Sequence, residues 1–114
     1  MYKILNQESE TVAYIQNMMI LNKKREKVIG LVIGDCFFGN DTKVIGKIID
    51  QKVYLLNGEI IGTIEANKDK KDPELKKGLM LEAWEILSNI KSHTSDWITI
   101  SKKWSKKSFI EVLL

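Results

Sequence analysis

Four short apolar phrases, each built around one small residue, recur along the first two-thirds of the chain. They are Val12-Ala13-Tyr14-Ile15, Val28-Ile29-Gly30-Leu31-Val32, Val44-Ile45-Gly46-Lys47-Ile48 and Ile60-Ile61-Gly62-Thr63-Ile64. The small residues fall at 13, 30, 46 and 62, in steps of 17, 16 and 16. Between them runs a second phrase that closes on Asn: Met18-Met19-Ile20-Leu21-Asn22, Cys36-Phe37-Phe38-Gly39-Asn40 and Val53-Tyr54-Leu55-Leu56-Asn57. A fixed period denotes one supersecondary unit that cannot bury its apolar face alone, so copies must stack. Runs of Val, Ile, Tyr and Phe suit a pleated, half-buried surface. Turn formers punctuate them at Gln16-Asn17, Gly34-Asp35, Asp50-Gln51 and Asn57-Gly58. Each unit therefore reads as a short β-hairpin. Asn-Gly suits a type I′ turn, which makes Val53 to Ile64 the clearest hairpin. The spacing from Asn to the next small residue shrinks from eight (Asn22 to Gly30) to six and then five, so the insertion sits around Lys23-Lys24-Arg25-Glu26.

A glycine inside a strand offers no side chain to pack and loses much backbone entropy on folding. Three in register, with an alanine at the fourth place, imply a shared cause. Either these positions lie where backbones crowd, as near a rotation axis, or each marks a bulge or sharp bend. Over residues 2 to 67, the small-residue phrases and the intervening strands ending in Asn resemble the 4-fold β-flower domain family. Its members are small bacterial domains in which four short β units surround a pseudo-fourfold axis. The resemblance implies a fold and carries no catalytic activity with it. The fourth unit departs from the pattern, because Ile64-Glu65-Ala66 runs straight into Asn67-Lys68-Asp69-Lys70-Lys71-Asp72. Either its missing strand comes from elsewhere, with Met1 to Leu5 as the candidate, or the ring stays open.

Residues 1–67 are thus expected to form a four-repeat β domain, and residues 68–114 a C-terminal part packed on it as one globular unit. The fold class is mainly β with a C-terminal helix (α+β). Asn67 to Asp72 reads as a charged linker. Asp72-Pro73-Glu74 then supplies a helix start: an N-cap acceptor, a proline at the first helical position and a carboxylate near the positive end of the dipole. Apolar residues follow at Leu75, Leu79, Ala83, Ile86, Leu87 and Ile90, which predicts an amphipathic helix over about 73–91. Met80 and Trp84 widen the stripe. That face must bury against the β domain, a partner or a second copy of the chain. Residues 97–114 are ambiguous. The β-branched content of Trp97-Ile98-Thr99-Ile100-Ser101 and of Phe109-Ile110-Glu111-Val112-Leu113-Leu114 favours a β-hairpin. The alternative is a second helix from Asp96, with Trp97, Ile100 and Trp104 on one face.

The chemistry of the chain excludes more than it assigns. Its 114 residues, 44% apolar and 29% charged, suit one folded domain. Polar residues arrive at Asn6, too early for a signal peptide. The longest uncharged apolar stretch, Val28 to Gly34, is far short of the ~20 residues that a helical span needs. The expected compartment is cytoplasmic, with the single Cys36 reduced. Next to Phe37-Phe38, that thiol reads as an inert part of the core. The one histidine, His93, is expected just after the helix, where it would meet the negative end of the dipole. One His and one Cys do not make an ordinary zinc site, and neither a P-loop nor a GxGxxG occurs. No cofactor and no metal are expected, and the chain reads as non-enzymatic.

One positive signal remains. Lys102, Lys103, Lys106 and Lys107 surround Trp104, and Lys23, Lys24 and Arg25 with Lys27 form a second cluster. Cations around a stackable ring suit single-stranded nucleic acid or an acidic partner. Lys-rich turns equally keep strand edges soluble, and one Arg among 18 cations is little for dedicated phosphate recognition. The reading that follows is a small binding module acting through protein–protein contacts, with homo-oligomerisation as one form of it. The alternative is nucleic-acid binding through the Lys-rich loops around Trp104.

Overall fold

The computed structural model describes residues 1–39, 44–66, 77–90 and 98–113. Eight strands run in chain order: β1 (Tyr2–Leu5), β2 (Thr11–Gln16), β3 (Met19–Leu21), β4 (Val28–Ile33), β5 (Cys36–Phe38), β6 (Val44–Ile49), β7 (Lys52–Leu55) and β8 (Ile60–Ala66). Each pairs antiparallel with the next, and β8 pairs with β1, so the sheet closes into a barrel. Closure removes the unpaired edges that an open sheet would expose. Tyr2–Leu5 is the strand that pairs with β8 and closes the ring, in register from Tyr2↔Ala66 to Leu5↔Thr63.

The two ends of the barrel differ in their turns. At one end, Asn17 (φ 48°) with Met18 (φ 67°), and Asp50 (φ 49°) with Gln51 (φ 64°), close two-residue hairpins in the left-handed conformation. Such turns match the twist of the strands they join. At the other end the connections are longer. The Ser9 N–H donates to the Asn6 carbonyl (3.0 Å) and the Arg25 N–H to the Asn22 carbonyl (2.8 Å). Ser9 (φ 64°) and Arg25 (φ 59°) then take the left-handed place. The Asn6 side-chain oxygen accepts the N–H groups of Glu8 (3.1 Å) and Glu10 (2.9 Å), and that of Asn22 accepts the Glu26 N–H (2.8 Å). Recurrent Asn thus has a local cause: a short side-chain carbonyl satisfies loop backbone.

The hairpin β7–β8 forms, but not with the expected type I′ turn at Asn57-Gly58. Only Gly58 is left-handed (φ 89°). The Gly58 N–H donates to the Leu55 carbonyl and the Leu55 N–H to the Glu59 carbonyl, both at 2.9 Å. The connection is therefore a longer one with a single glycine in the left-handed position. Asn57 is held otherwise, its side-chain oxygen accepting the Glu59 N–H (2.9 Å).

Inside the barrel, a large and a small residue face each other in each of four alternate strand pairs. Ile4 pairs with Ala13, Ile20 with Gly30, Phe37 with Gly46 and Val53 with Gly62. The four large members are at most 1% exposed. In each pair of strands the register shifts immediately after the large residue. A bulge of this kind bends the strand and increases its twist, which a small barrel needs. What leaves no room for a side chain is the backbone of the next strand. A Cβ on Gly30 would run into the Phe38 carbonyl, and one on Gly46 into the Tyr54 carbonyl. At Gly62 the space is less tight, with Ile4 Cγ2 at 3.0 Å and the Leu5 carbonyl at 3.3 Å. Ile29, Ile45, Ile61 and Val12, with Ile15, Val32, Ile48 and Ile64, complete this core.

Two helices follow, α1 (Lys77–Asn89) and α2 (Phe109–Leu113). The expected helix start at Asp72-Pro73, the linker, His93 and Trp97 lie outside the described residues. The expected C-terminal hairpin is not formed. Residues 98–103 carry no strand, and Phe109–Leu113 is helical despite its β-branched content. A capping box sets the helix: the Glu111 N–H donates to Ser108 Oγ (3.2 Å), and the Ser108 N–H to the Glu111 carboxylate (2.8 Å). Five residues are too few to hold a helix alone. Packing supplies the rest, since Phe109 and Leu113 are 3% and 2% exposed within the barrel core. The Phe109 ring lies 6.0 Å from that of Phe37.

Candidate functional site

Helix α1 has more apolar surface than the barrel covers. Its residues at three-four spacing, Leu79, Ala83, Ile86, Leu87 and Ile90, pack over Met19, Leu21, Val28 and Leu31 on the outside of β3 and β4. The Glu82 carboxylate accepts the Val28 N–H (3.2 Å) at the end of that contact. At about 100° per residue, Met80 and Trp84 lie beside this stripe and Leu81 beyond it. Met80 is 50% exposed, Trp84 64% and Leu81 66%. The sequence stripe that Met80 and Trp84 widen is thus buried only on one side.

An open groove of about 240 Å³ separates the exposed edge of α1 from the barrel. Met80, Ala83, Trp84 and Leu87 form one wall; Leu31, Ile33 and the Asn17-Met18 turn form the other. Met18 is 58% exposed and sits at positive φ, so the turn thrusts an apolar side chain to the rim. Among the described residues seven large apolar side chains are exposed, and three of them (Met18, Met80 and Trp84) line this one groove. Scattered single residues are ordinary on a surface; a contiguous patch marks an interaction site. The signal for it in the sequence was the overflow of the helical stripe. The contribution of Met18 and Ile33 was not legible, because it depends on which strands α1 crosses.

The basic residues singled out above are spread over several settings. Lys23, Lys24 and Arg25 occupy the loop between β3 and β4. The Arg25 guanidinium stacks 5.2 Å above the Tyr14 ring, toward the α1 side of the barrel. Lys102 and Lys103 lie on the segment that runs beside β8, where the Ile60 N–H donates to the Lys103 carbonyl (2.8 Å) and the Ser105 N–H to the Ile60 carbonyl (2.7 Å). Lys103 also pairs with Glu59 at 3.9 Å, an exposed contact of small energetic consequence. Trp104 is half-buried against Tyr54, Ile60 and Ile98, so most of its ring serves packing. Lys106 and Lys107 continue toward the mouth of the barrel.

The structure does bring two pairs together. Lys23 and Lys24 border one depression, and Lys106 and Lys107 another, and both depressions share Asn6, Val12 and Ile110. Acidic groups share them too: Glu10 lines the first and Glu8 the second. The surface is therefore mixed in sign. Elsewhere, Cys36 is 1% exposed with its thiol 3.5 Å from the Asp35 carboxylate, and the same carboxylate lies 3.6 Å from the Lys47 ammonium. Among the described residues no cluster of His, Cys, Asp and Glu could hold a metal ion, and no helix is long and apolar enough to cross a membrane. No protein-family model, no curated protein and no solved structure matches this chain.

Proposed function

We propose that this chain is a small non-catalytic interaction module whose barrel presents the groove beside α1 to a protein partner. The observation that carries this reading is the groove of about 240 Å³ with Met18, Met80 and Trp84 on its rim. Methionine adapts its shape to a partner, and tryptophan is enriched among the residues that dominate binding. The test is selection from a random peptide display library on the wild-type protein, with the Met80→Glu variant as counter-selection. The expected result is a set of apolar peptides that shift the amide resonances of Asn17, Met18, Ala83 and Trp84 and bind at least tenfold more weakly to the variant. Failure to enrich any sequence over the variant overturns the reading.

The barrel itself we read as four copies of one two-stranded unit about a pseudo-fourfold axis, as in the 4-fold β-flower family. Supporting this are the four large–small pairs at 4/13, 20/30, 37/46 and 53/62, each followed by a register shift. A backbone bond also recurs: the Val32 N–H donates to the Met18 carbonyl, Ile48 to Asp35 and Ile64 to Gln51, at 2.7–2.8 Å.

A second reading, nucleic-acid binding, is favoured by the approach of Lys23 and Lys24 to the same end of the barrel as Lys106 and Lys107. It predicts binding to single-stranded oligonucleotides that falls steeply with salt. Replacement of all four lysines by glutamate then abolishes that binding; unchanged binding removes this reading.

A further inference from the structure

We infer that the mouth of the barrel is a second docking site, for a short amphipathic helix with Phe and Leu four residues apart, which the C-terminal segment holds closed in cis. Residues 98–113 leave the mouth as one unit while the eight-strand ring stays closed. The site is separate from the groove beside α1.

The attachment of α2 is that of a bound segment. It enters the barrel through two anchors at i and i+4, Phe109 and Leu113, as a helix does when it docks in a groove. Phe109 lies against Phe37. The backbone of the segment is received at Gly39 and Gly58, where a Cβ would run into the Leu113 and Thr99 carbonyls. Among the described residues, no backbone hydrogen bond joins residues 106–113 to the barrel. The Val112 N–H stays within the helix, on the Ser108 carbonyl (3.3 Å), and Ser108 and Glu111 cap each other. Apolar side chains therefore hold α2 in place.

The mouth is also wider than its occupant. Ile110 stands between two open depressions of about 420 and 470 Å³, both bordered by Asn6 and Val12. A well-packed interior leaves few such gaps. Departure of the segment takes little from the barrel. Every strand keeps both neighbours, and the backbone bonds lost are the three that tie Gly58 and Ile60 to Ser101, Lys103 and Ser105. A unit held by so few bonds opens below global unfolding.

Native-state hydrogen exchange tests the opening. The Ile60 N–H belongs to β8 but donates to the Lys103 carbonyl, so it reports on the segment and not on the ring. Ile60, Ser101, Ser105 and Val112 are expected to share one protection factor, at least tenfold below that of Ile48 and Ile64. Ile20→Val, which thins the barrel core, is expected to speed Ile48 and Ile64 by about 2- to 10-fold and to leave the other four unchanged. Acceleration of all six together overturns the inference. A labelled peptide of residues 105–114 then tests the site in trans on the full chain. It is expected to bind the Phe109→Ala variant at least tenfold more tightly than the wild type, with amide shifts at Phe37 and Gly39. Equal affinity for the two proteins, or no binding to the variant at 1 mM peptide, overturns it as well.

Discussion

The barrel and the C-terminal segment are built from similar residues under different rules. In the barrel, each strand is specified next door: a period-two pattern, a turn that fits the strand twist, and an Asn that satisfies the loop. The C-terminal segment has little of this. Helix α2 has five residues and exists because Phe109 and Leu113 enter the mouth of the barrel. Residues 98–105 are held to the β7–β8 loop and the first residue of β8 by three backbone bonds, Ser101 to Gly58, Ile60 to Lys103 and Ser105 to Ile60. Helix α1 is intermediate, with a local apolar period but with one edge of it left in the open. The difference is between structure encoded by neighbours in sequence and structure borrowed from a surface already formed.

The most damaging change to the borrowed part is Phe109→Ala, expected to cost about 3–5 kcal/mol by emptying the barrel mouth. Chemical denaturation measures it, and a loss under about 1 kcal/mol would mean that α2 only rests on the surface. Within the barrel, Gly46→Ala and Gly30→Ala force a methyl group against a neighbouring strand's carbonyl, at about 2–3 kcal/mol each. Gly62→Ala has only a few tenths of an ångström to find, and its cost is expected below about 1 kcal/mol. The ranking, read from unfolding midpoints, matters more than the magnitudes. Gly58→Ala joins the two regions, because its left-handed φ and the Thr99 carbonyl both oppose a side chain. A loss of about 1–2 kcal/mol is expected, with amide shifts confined to residues 98–105 and the β7–β8 loop. The smallest effect has the opposite sign. Met18→Gly relieves a left-handed methionine and is expected to raise stability by about 0.5 kcal/mol while removing affinity for peptides in the groove.

The same contrast explains what the sequence made legible. Residues 13, 30, 46 and 62 announced crowding, and the Asn57-Gly58 pair announced a hairpin, because both signals are local. The turn type at Asn57 was misjudged since its side chain is engaged with Glu59 instead of leaving both central residues left-handed. At Phe109–Leu113 the β-branched content outweighed a better signal: Ser108-Phe109-Ile110-Glu111 is a capping-box sequence preceding an apolar run. Of the candidate site, Met80 and Trp84 could be seen on the helical wheel. Met18 could not, as its place beside α1 is fixed only by the docking of the helix on β4. The basic clusters were visible as composition, yet the stacking of Arg25 on Tyr14 and the intrusion of Glu8 and Glu10 required the fold.

The bulges and the mouth that receives α2 both depend on β1 closing the ring, since an open sheet would neither need the one nor form the other. Native-state hydrogen exchange of the β1 amides tests that closure most directly. In a closed ring Ile4, flanked by Ala13 and Ile64, exchanges through global unfolding and as slowly as the amides of β6. Exchange of Ile4 orders of magnitude faster than that of Ile48 in β6 would contradict it.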